Sequence, residues 1–346
     1  MKNSRIAWRS PSNLAIIKYW GKYGRQLPRN ASISLTLQNA YSETSLEFEP
    51  KQGNGLVELA FTFEGEENTK FKERLQKFLS SITDIMPFLT EYKLTIASQN
   101  SFPHSAGIAS SASAMSALAL CLCTMERQLS AQPQSEDYFY RRASMIARLG
   151  SGSAARSVYP HLAVWGATDL AEDSSNDFAT PYGQAVDAVF LSYHDDILLV
   201  SKSEKSVSST AGHALMDSNP FASVRYQQAH DNLKELLQAM KTGDVHAFGR
   251  IAEQEALQLH ALMMTSNPSY ILMESQSLEI IKKIRQWRLK TGLALYFSMD
   301  AGPNMHLLYP HSIAAEVQEF IQQDLVQHCE QGSFLKDHVG KGPIQL

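Results

Sequence analysis

Four segments of the sequence carry side chains that could bind and turn over an anionic ligand. The first, NLAIIKYWGK, places Lys18 and Lys22 four residues apart, with Tyr19 between them. Side chains at this spacing point to the same side of a strand or of a helix, so both ammonium groups could line one ligand from two ends. Solvated surface lysines are the alternative interpretation of this spacing.

The second segment, SFPHSAGIASSASAM, is rich in small residues and serines and leads into a long uncharged helix. The first turn of a helix has unpaired N–H groups and the positive end of the helix macrodipole, so a phosphate binds well there. Serine hydroxyls can add hydrogen bonds or reach a magnesium-bound phosphate. A serine-capped buried helix without a ligand is the alternative. Because the chain has no GxxxxGK[ST] motif, a nucleotide would bind here outside the Walker arrangement.

The third segment, ARLGSGSAARS, ends a predicted helix with glycines and serines. Its GxGxxA spacing matches a dinucleotide-binding loop, but such a loop must follow a strand, and the residues before Gly150 have helical periodicity. We therefore reject a dinucleotide site. The hydroxyls of Ser151 and Ser153 and the planar guanidinium of Arg156 suit a phosphate or a carboxylate, or else belong to a solvated loop.

The fourth segment, YFSMDAGPNMHLLY, puts Asp300 between two short apolar runs, at the end of a predicted strand. A carboxylate at a strand end beside a Gly-Pro turn can reach into a cleft and act as a general base. Hydrogen bonding to the backbone of the turn is the commoner use of such an aspartate. Of the eleven histidines, His306 is the one that follows this loop, and the sequence contains no HExxH motif.

The composition excludes several classes of protein. The chain has 346 residues, and its 31 basic and 35 acidic side chains are too balanced for a chain-wide contact with nucleic acid or an anionic membrane. Three cysteines without a CxxC spacing indicate reduced thiols and no zinc site. The N-terminus lacks the apolar run of a signal peptide, and the uncharged stretch from Ser105 to Met125 begins with Ser, Ala and Gly, which favours a buried helix over a membrane span. We therefore expect a cytoplasmic protein.

Strands and helices alternate in the part of the chain that must position these segments. Two runs of alternating residues between Ser42 and Gly65, separated by a Pro- and Gly-rich turn, predict an antiparallel pair. Apolar periodicity predicts helices over Thr69–Ile82, Ser111–Met125 and Ser135–Leu149, and strands over Tyr92–Ala97 and at HLAVW and AVFLSY.

The pattern changes after Ser208 to long helices that continue to about Lys290, with breaks at Asn219-Pro220 and Asn267-Pro268. Two short apolar runs, LALYFSM and MHLLYP, then flank the Asp300 loop as strands, and the last dozen residues are expected to be a loosely held tail. This pattern predicts an α+β fold of two domains, with a boundary near residues 184–187.

Together the four segments resemble the mevalonate diphosphate decarboxylases of the GHMP kinase superfamily, in which they occur in the same order. The resemblance extends from about Ala7 to Pro310, and the segment KSVSSTAG, residues 205–212, is similar to a further family segment. It implies a two-domain GHMP kinase-like fold, with an N-terminal ribosomal protein S5 domain 2-like domain over residues 1–186 and a C-terminal ferredoxin-like α/β sandwich domain over residues 187–346. It further implies an active cleft between the domains, a homodimer, and no nucleic-acid or membrane partner.

The resemblance also implies a role for each matching residue. Asp300 would be the base that faces the 3-hydroxyl of mevalonate 5-diphosphate, with Lys18 close to it, and Arg156 would hold the substrate's carboxylate or phosphates. The diphosphate side of the substrate would contact Asn13, Tyr19, Lys22, Ser151, Ser153 and Ser209. ATP would bind Pro103, Ala106, Gly107, Ala109, Ser110 and Ser111, and Ser111 would reach its magnesium ion through a phosphate oxygen or a water molecule.

Family membership implies a reaction in which ATP phosphorylates the tertiary alcohol, and the product loses phosphate and CO2 to give isopentenyl diphosphate. Phosphate is a good leaving group where hydroxide is a poor one, and the protein contributes electrostatic positioning. Three alternatives stay open: a decarboxylase of mevalonate monophosphate, a mevalonate 3-kinase-like small-molecule kinase, and a catalytically inactive regulatory protein of the same fold. Ala155, where the family commonly has cysteine, leaves the phosphorylated substrate open. A serine hydrolase is disfavoured, because the chain has no GxSxG turn.

Overall fold

The computed structural model describes residues 5–52, 55–102, 110–130, 132–183, 185–203 and 206–346. Within these ranges the strands form one eight-stranded sheet, one four-stranded sheet and one two-stranded ribbon. The strands are β1 (Ile6–Ala15), β2 (Lys22–Tyr23), β3 (Leu27–Pro28), β4 (Ser32–Pro50), β5 (Glu58–Phe63), β6 (Glu66–Glu67), β7 (Tyr92–Asn100), β8 (Leu162–Trp165), β9 (Ala179–Pro181), β10 (His194–Leu198), β11 (Tyr296–Ser298), β12 (Met305–Tyr309), β13 (Phe334–Leu335) and β14 (Ile344–Gln345). The α-helices are α1 (Thr69–Ser81), α2 (Ser110–Leu129), α3 (Glu136–Gly150), α4 (Ser209–Ala214), α5 (Ala222–Thr242), α6 (Val245–Met264), α7 (Ser275–Thr291) and α8 (Ala314–Phe320).

The eight-stranded sheet has the order β14-β1-β4-β7-β5-β6, with β8 paired to β4 and β9 paired to β8. The antiparallel pair expected between Ser42 and Gly65 is wrong, because β7 lies between β4 and β5 and pairs parallel with β5. A parallel pair needs a crossover connection, which α1 supplies between β5 and β7. Alternation along a chain predicts a half-buried strand but does not name its neighbour.

The three helices predicted in the N-terminal half are confirmed as α1, α2 and α3, with ends that agree within four residues. Ser135 caps α3 by accepting the backbone N–H of Tyr138. Helix α2 is buried along most of its length, and two of its serines form hydroxyl–hydroxyl hydrogen bonds to serines of the sheet. Among the residues with described positions, no helix is long and apolar enough to cross a membrane.

The four-stranded sheet has the order β11-β12-β10-β13. The strands predicted at LALYFSM and MHLLYP are confirmed as β11 and β12, which pair antiparallel and hold residues 299–304 as the loop between them. The strand predicted at AVFLSY is wrong, because Ala188–Ser192 is a 3-10 helix and β10 begins at His194. The large apolar residues of that run, Phe190 and Tyr193, pack with Phe248 in a buried cluster.

Helices α5 and α6 pack against the first sheet, where residues such as Leu14 and Ile33 share a core with Leu233 and Phe248. A second core lies between that sheet and helices α2 and α3, and a third lies between the smaller sheet and helices α7 and α8. The end of β1 is therefore held against α5 and α6. The division of the chain at residue 186/187 stays a prediction.

The C-terminal tail is not loosely held, contrary to expectation, since β14 pairs with β1. The carboxylate of Asp337 is buried and accepts three consecutive backbone N–H groups at 2.7 to 2.9 Å, those of Gln38, Asn39 and Ala40. At Gly340 the tail lies directly on β4, where a Cβ would come 2.3 Å from the carbonyl oxygen of Leu37. Gly340 lies in the tail that we expected to be loosely held, but its lack of a side chain is required for this close contact with β4.

Substituting Asp337 is expected to destabilise the fold. In Asp337→Asn one side-chain oxygen is kept, but an NH2 group faces the N–H of Ala40, and a buried unsatisfied donor costs about 1–3 kcal/mol. Urea denaturation should therefore give a lower free energy of unfolding than in the wild type, whereas Asp231→Asn, on the exposed face of α5, should not. Equal values for Asp337→Asn and the wild type would show that these hydrogen bonds contribute no net stability.

Candidate active site

An ion pair joins two of the segments that the sequence singled out. Nζ of Lys18 lies 2.8 Å from Oδ1 of Asp300. The Lys18 side chain is 2% exposed and that of Asp300 is 28% exposed, so the ammonium is enclosed while the carboxylate stays open to solvent. The backbone carbonyl of Asp300 accepts the N–H of Gly302 at 2.8 Å and lies 3.1 Å from Nε2 of His260. These contacts hold the strand-end loop that presents the carboxylate.

Residues 18–21 form neither a strand nor a helix and Lys22 begins β2, so neither a single strand nor a single helix carries both lysines, and both geometries considered for them are wrong. In the turn between the two lysines, Gly21 has φ +115°, a conformation that favours glycine, and a Cβ there would lie 2.3 Å from the Tyr226 hydroxyl. The turn sends the two lysines to different surroundings. Lys18 pairs with Asp300, whereas Lys22 lines a separate cavity.

The backbone of Lys18 is held by a buried ion pair that our sequence analysis missed. Glu255 accepts the N–H of Lys18 at 2.8 Å, and Arg225 donates to its carbonyl oxygen at 3.1 Å. Arg225 Nη1 and Glu255 Oε1 are 2.8 Å apart, and both side chains are buried. One signal could have found the pair: Glu255 lies on the apolar stripe of α6, between Ala252 and Leu259, where an ionised side chain needs a buried partner.

Arg156 lies buried behind the same N-terminal segment. Its Nη1 donates to Ser32 Oγ at 2.6 Å, and its Nε and Nη2 lie 3.4 and 3.3 Å from Oδ1 of Asn13. The rings of Tyr19 and Trp165, which contact each other edge to face, lie 5.6 and 5.8 Å from the guanidinium carbon. Burial lowers the pKa of Arg156 to about 10 and raises the pKa of Tyr19 to about 12, so at neutral pH the guanidinium is charged and the phenol is not. A buried cation whose hydrogen-bond partners in the described chain are neutral is suited to an anionic ligand.

Three serine hydroxyls connect the start of α2 with the end of α3. Ser111 Oγ lies 3.2 Å from Ser151 Oγ, which lies 3.5 Å from Ser153 Oγ. Gly152 allows this arrangement, because a Cβ there would lie 2.6 Å from the hydroxyl of Tyr19. The second and third sequence segments are thereby brought together.

An apolar groove lies beside the start of α2. Four aromatic side chains contribute to its walls, and two serines line its α2 end: Phe61, Phe63, Phe71, Phe78, Ser110 and Ser111. The groove can take a flat apolar ring next to hydroxyl groups and the start of a helix. Of the other residues predicted to bind ATP, four lie outside the described part of the chain: Pro103, Ala106, Gly107 and Ala109.

A second cavity lies around Lys22. The amine of Lys22 has no hydrogen bond or ion pair with any residue that the structure describes, and burial lowers its pKa to about 8. Ser209 is exposed at the start of α4, four residues before His213, which lines the cavity with Lys22. Residues four apart share one face of a helix, so Ser209 and His213 lie on the same side of α4.

His306, the histidine that follows the Asp300 loop, pairs with a buried aspartate. Its Nδ1 lies 2.7 Å from Oδ1 of Asp195, and both side chains are buried. Over the described ranges, no group of three or more His, Cys, Asp or Glu side chains could hold a metal ion.

Two family models match most of the chain. The "Diphosphomevalonate decarboxylase-like N-terminal domain" matches residues 10–176, and the "Mevalonate 5-diphosphate decarboxylase C-terminal domain" matches residues 196–343. A diphosphomevalonate decarboxylase from Ganoderma lucidum is 31% identical, and the match covers 96% of this chain and 84% of the relative.

Solved structures are similar along nearly the whole chain. MDDEF in complex with MVAPP, AMPPCP and magnesium has a TM-score of 0.83 and 29% identity, covering 99% of this chain and 98% of its own. The mevalonate diphosphate decarboxylase from Staphylococcus aureus also has a TM-score of 0.83, with 26% identity and the same coverage. The two-domain α+β architecture is therefore shared with these proteins.

Proposed function

The chain belongs to the mevalonate diphosphate decarboxylase family, and from this premise we propose that the groups around Lys18 and Asp300 bind and decarboxylate its substrate. Its activity is the ATP-dependent decarboxylation of mevalonate 5-diphosphate, a step of the mevalonate pathway. The observation that carries the proposal is the 2.8 Å contact between the enclosed Lys18 ammonium and the solvent-open Asp300 carboxylate.

Asp300 acts as the base in the first step of this proposal. The Lys18 ammonium favours its charged carboxylate form, which accepts the proton of the 3-hydroxyl while the oxygen bonds to the γ-phosphorus of ATP and ADP leaves. Because Lys18 is enclosed and held through its backbone by Glu255 and Arg225, its charge stays fixed next to the transferred phosphoryl group. This is electrostatic stabilisation by a preorganised cation.

The second step breaks two bonds of the phosphorylated substrate. The C3–O bond breaks first as phosphate leaves with the bonding electrons, and positive charge develops at C3. The bond between the carboxylate and the neighbouring carbon then breaks, its electrons form the new C=C bond, and CO2 leaves. We assign Arg156 to the substrate's carboxylate. Its planar guanidinium matches a carboxylate in shape, and its neutral hydrogen-bond partners leave its positive charge uncompensated.

The diphosphate needs several donors and cations on one side of the cleft. Lys22 is a cation without a hydrogen bond or ion pair to any described residue, and the serine hydroxyls and the Tyr19 phenol supply neutral donors. We propose that the diphosphate side of the substrate contacts Asn13, Tyr19, Lys22, Ser151, Ser153 and Ser209.

ATP is proposed to bind in the groove beside α2, with its base against the apolar walls and its phosphates towards Ser110, Ser111 and the helix start. In support, the related MDDEF structure holds AMPPCP and magnesium together with MVAPP. Magnesium, when bound, neutralises charge on the phosphate oxygens. The Ser111 hydroxyl is proposed to reach it through a phosphate oxygen or a water molecule.

Three further features are proposed from the family resemblance. Residues 1–186 would form the ATP-binding domain and residues 187–346 the second domain. The chain would form a homodimer, which light scattering would report as twice the 38.5 kDa of one chain. The cytoplasm is the proposed compartment, in agreement with the three free, buried cysteines.

The proposed function is tested by incubating the protein with ATP, magnesium and mevalonate 5-diphosphate, with the monophosphate in parallel, while ADP and CO2 are measured together. Equal amounts of ADP and CO2 from the diphosphate are expected. ADP without CO2 would indicate a kinase, and reaction of the monophosphate alone would change the substrate. No reaction with either would favour the regulatory alternative.

The pKa of Lys22 predicts the alkaline side of the pH profile. As a cation it attracts the diphosphate, and it loses its proton as the pH rises through about 8, the pKa to which burial lowers it. Because kcat/KM reports the free enzyme, its value for mevalonate 5-diphosphate should fall above that pH. In Lys22→Arg the side chain stays charged, so the fall should move to higher pH. An unmoved fall in the variant would assign this titration to another group.

A further inference from the structure

His213 of helix α4 is a buried side chain that the proposed function does not yet use. Its ring lies between the rings of Tyr19 and Trp20, with centroid distances of 4.8 and 4.3 Å. Its Nδ1 accepts the backbone N–H of Gly21 at 2.9 Å. His213 thus contacts three successive residues of the turn that joins Lys18 to Lys22.

The hydrogen bond from Gly21 determines the protonation of the ring. A backbone N–H can only donate, so Nδ1 of His213 carries no proton, and the ring is neutral with its proton on Nε2. Burial, together with the charge of Lys22, holds the pKa of His213 well below its ordinary value. A proton on Nδ1 would break the bond to Gly21 and add a second cation beside Lys22.

The charged groups that line the cavity with His213 leave one cation uncompensated. Arg25 of the lining pairs with Asp84 at 2.8 Å, and Asp217 pairs with Arg29 at 3.4 Å. Lys22 has no such partner within the described ranges. A partly buried ammonium beside a neutral N–H donor suits an anion with several oxygens, such as a diphosphate.

The second nitrogen of His213 is available to such an anion. Nε2 makes no hydrogen bond with the described protein, and it remains accessible to solvent. We propose that His213 donates a hydrogen bond from Nε2 to the substrate's diphosphate, and that Nδ1 holds the turn carrying Tyr19 and Lys22. The identity of the anion rests on the proposed function, whereas the tautomer rests on the Gly21 contact alone.

Two substitutions of His213 separate the roles of its nitrogens. In His213→Asn the amide oxygen can replace Nδ1 as acceptor, but nothing replaces the Nε2 donor. We expect KM for mevalonate 5-diphosphate to rise about ten-fold, with kcat and KM for ATP within about two-fold of wild type. In His213→Phe the stacked ring remains and both nitrogens are lost, so kcat should fall as well because the turn loosens. His230→Asn, at a half-buried histidine of α5, is the matched control.

Unchanged KM in His213→Asn, or a fall in kcat without a rise in KM, would overturn the donor role. Nitrogen NMR of the full chain labelled with 15N-histidine tests the proposal without relying on turnover, with His213→Asn assigning the signal. At about pH 6.5, the ordinary histidine pKa, we expect a neutral ring protonated on Nε2 that shifts on addition of inorganic pyrophosphate. A charged ring, an Nδ1–H tautomer or no shift would overturn the proposal. If the wild type does not turn over mevalonate 5-diphosphate, the proposed function fails, and the NMR result still decides the role of His213.

Discussion

Asp300→Asn is expected to abolish turnover, with kcat lowered by about 10²- to 10⁴-fold, the range for loss of a general base. The amide nearly matches the carboxylate in shape, but it cannot accept the proton of the 3-hydroxyl. Removing a negative charge should not weaken the binding of an anionic substrate. We therefore expect KM for mevalonate 5-diphosphate to stay the same or fall, so that the loss appears in kcat when ADP and CO2 are measured.

The same substitution leaves the enclosed Lys18 ammonium without its counterion, so lost stability must be separated from lost chemistry. Removing one partner of a fully buried pair costs about 3–5 kcal/mol, and the solvent-open side of Asp300 reduces that cost here. The double variant Lys18→Met/Asp300→Asn has no stranded charge, and it should regain stability while staying inactive. An Asp300→Asn protein with near-normal kcat would remove Asp300 from the mechanism.

The fold shows which sequence signals carry over to three dimensions. Helices α1, α2 and α3 were predictable because a 3.6-residue period, a serine cap and an uncharged stretch are local properties. The partner of β5 was not predictable in this way, since pairing with β7 depends on the crossover through α1. The same holds for the tail, whose anchor is Asp337 binding N–H groups of residues some 300 positions earlier.

The candidate site shows the same difference between local sequence signals and contacts between residues distant in sequence. Lys18 was singled out by its four-residue spacing from Lys22, and Arg156 and Asp300 by the small or turn-forming residues beside them. Both signals are local patterns. The supports of that set are distant in sequence: Glu255 and Arg225 approach Lys18 from α6 and α5. His213 directly follows the family-like segment of residues 205–212 and was not singled out, because its role depends on a contact with Gly21 that only the folded chain creates.

Arg156→Lys is expected to lower kcat/KM for mevalonate 5-diphosphate by about 10²-fold, within the range for truncating a buried, hydrogen-bonded charge pair. The guanidinium contacts Ser32 Oγ and Asn13 Oδ1 through different nitrogens and lies within 6 Å of the rings of Tyr19 and Trp165. A lysine keeps the charge but offers a single ammonium, which cannot hold both neutral partners and a carboxylate at once. Steady-state kinetics with the substrate varied at saturating ATP would measure the loss.

Ser32→Ala is the matched control for this arginine, because it removes the 2.6 Å partner of Nη1 and leaves the guanidinium in place. If Arg156 binds substrate, Ser32→Ala should change kcat/KM for mevalonate 5-diphosphate by no more than a few-fold. Arg156→Lys should show the full loss, with KM for ATP unchanged. If Arg156 only supports the fold, both variants should lower the unfolding temperature and neither should raise KM for mevalonate 5-diphosphate. The comparison works because the two variants disturb the same hydrogen bond, and only one of them removes the group that could recognise a carboxylate.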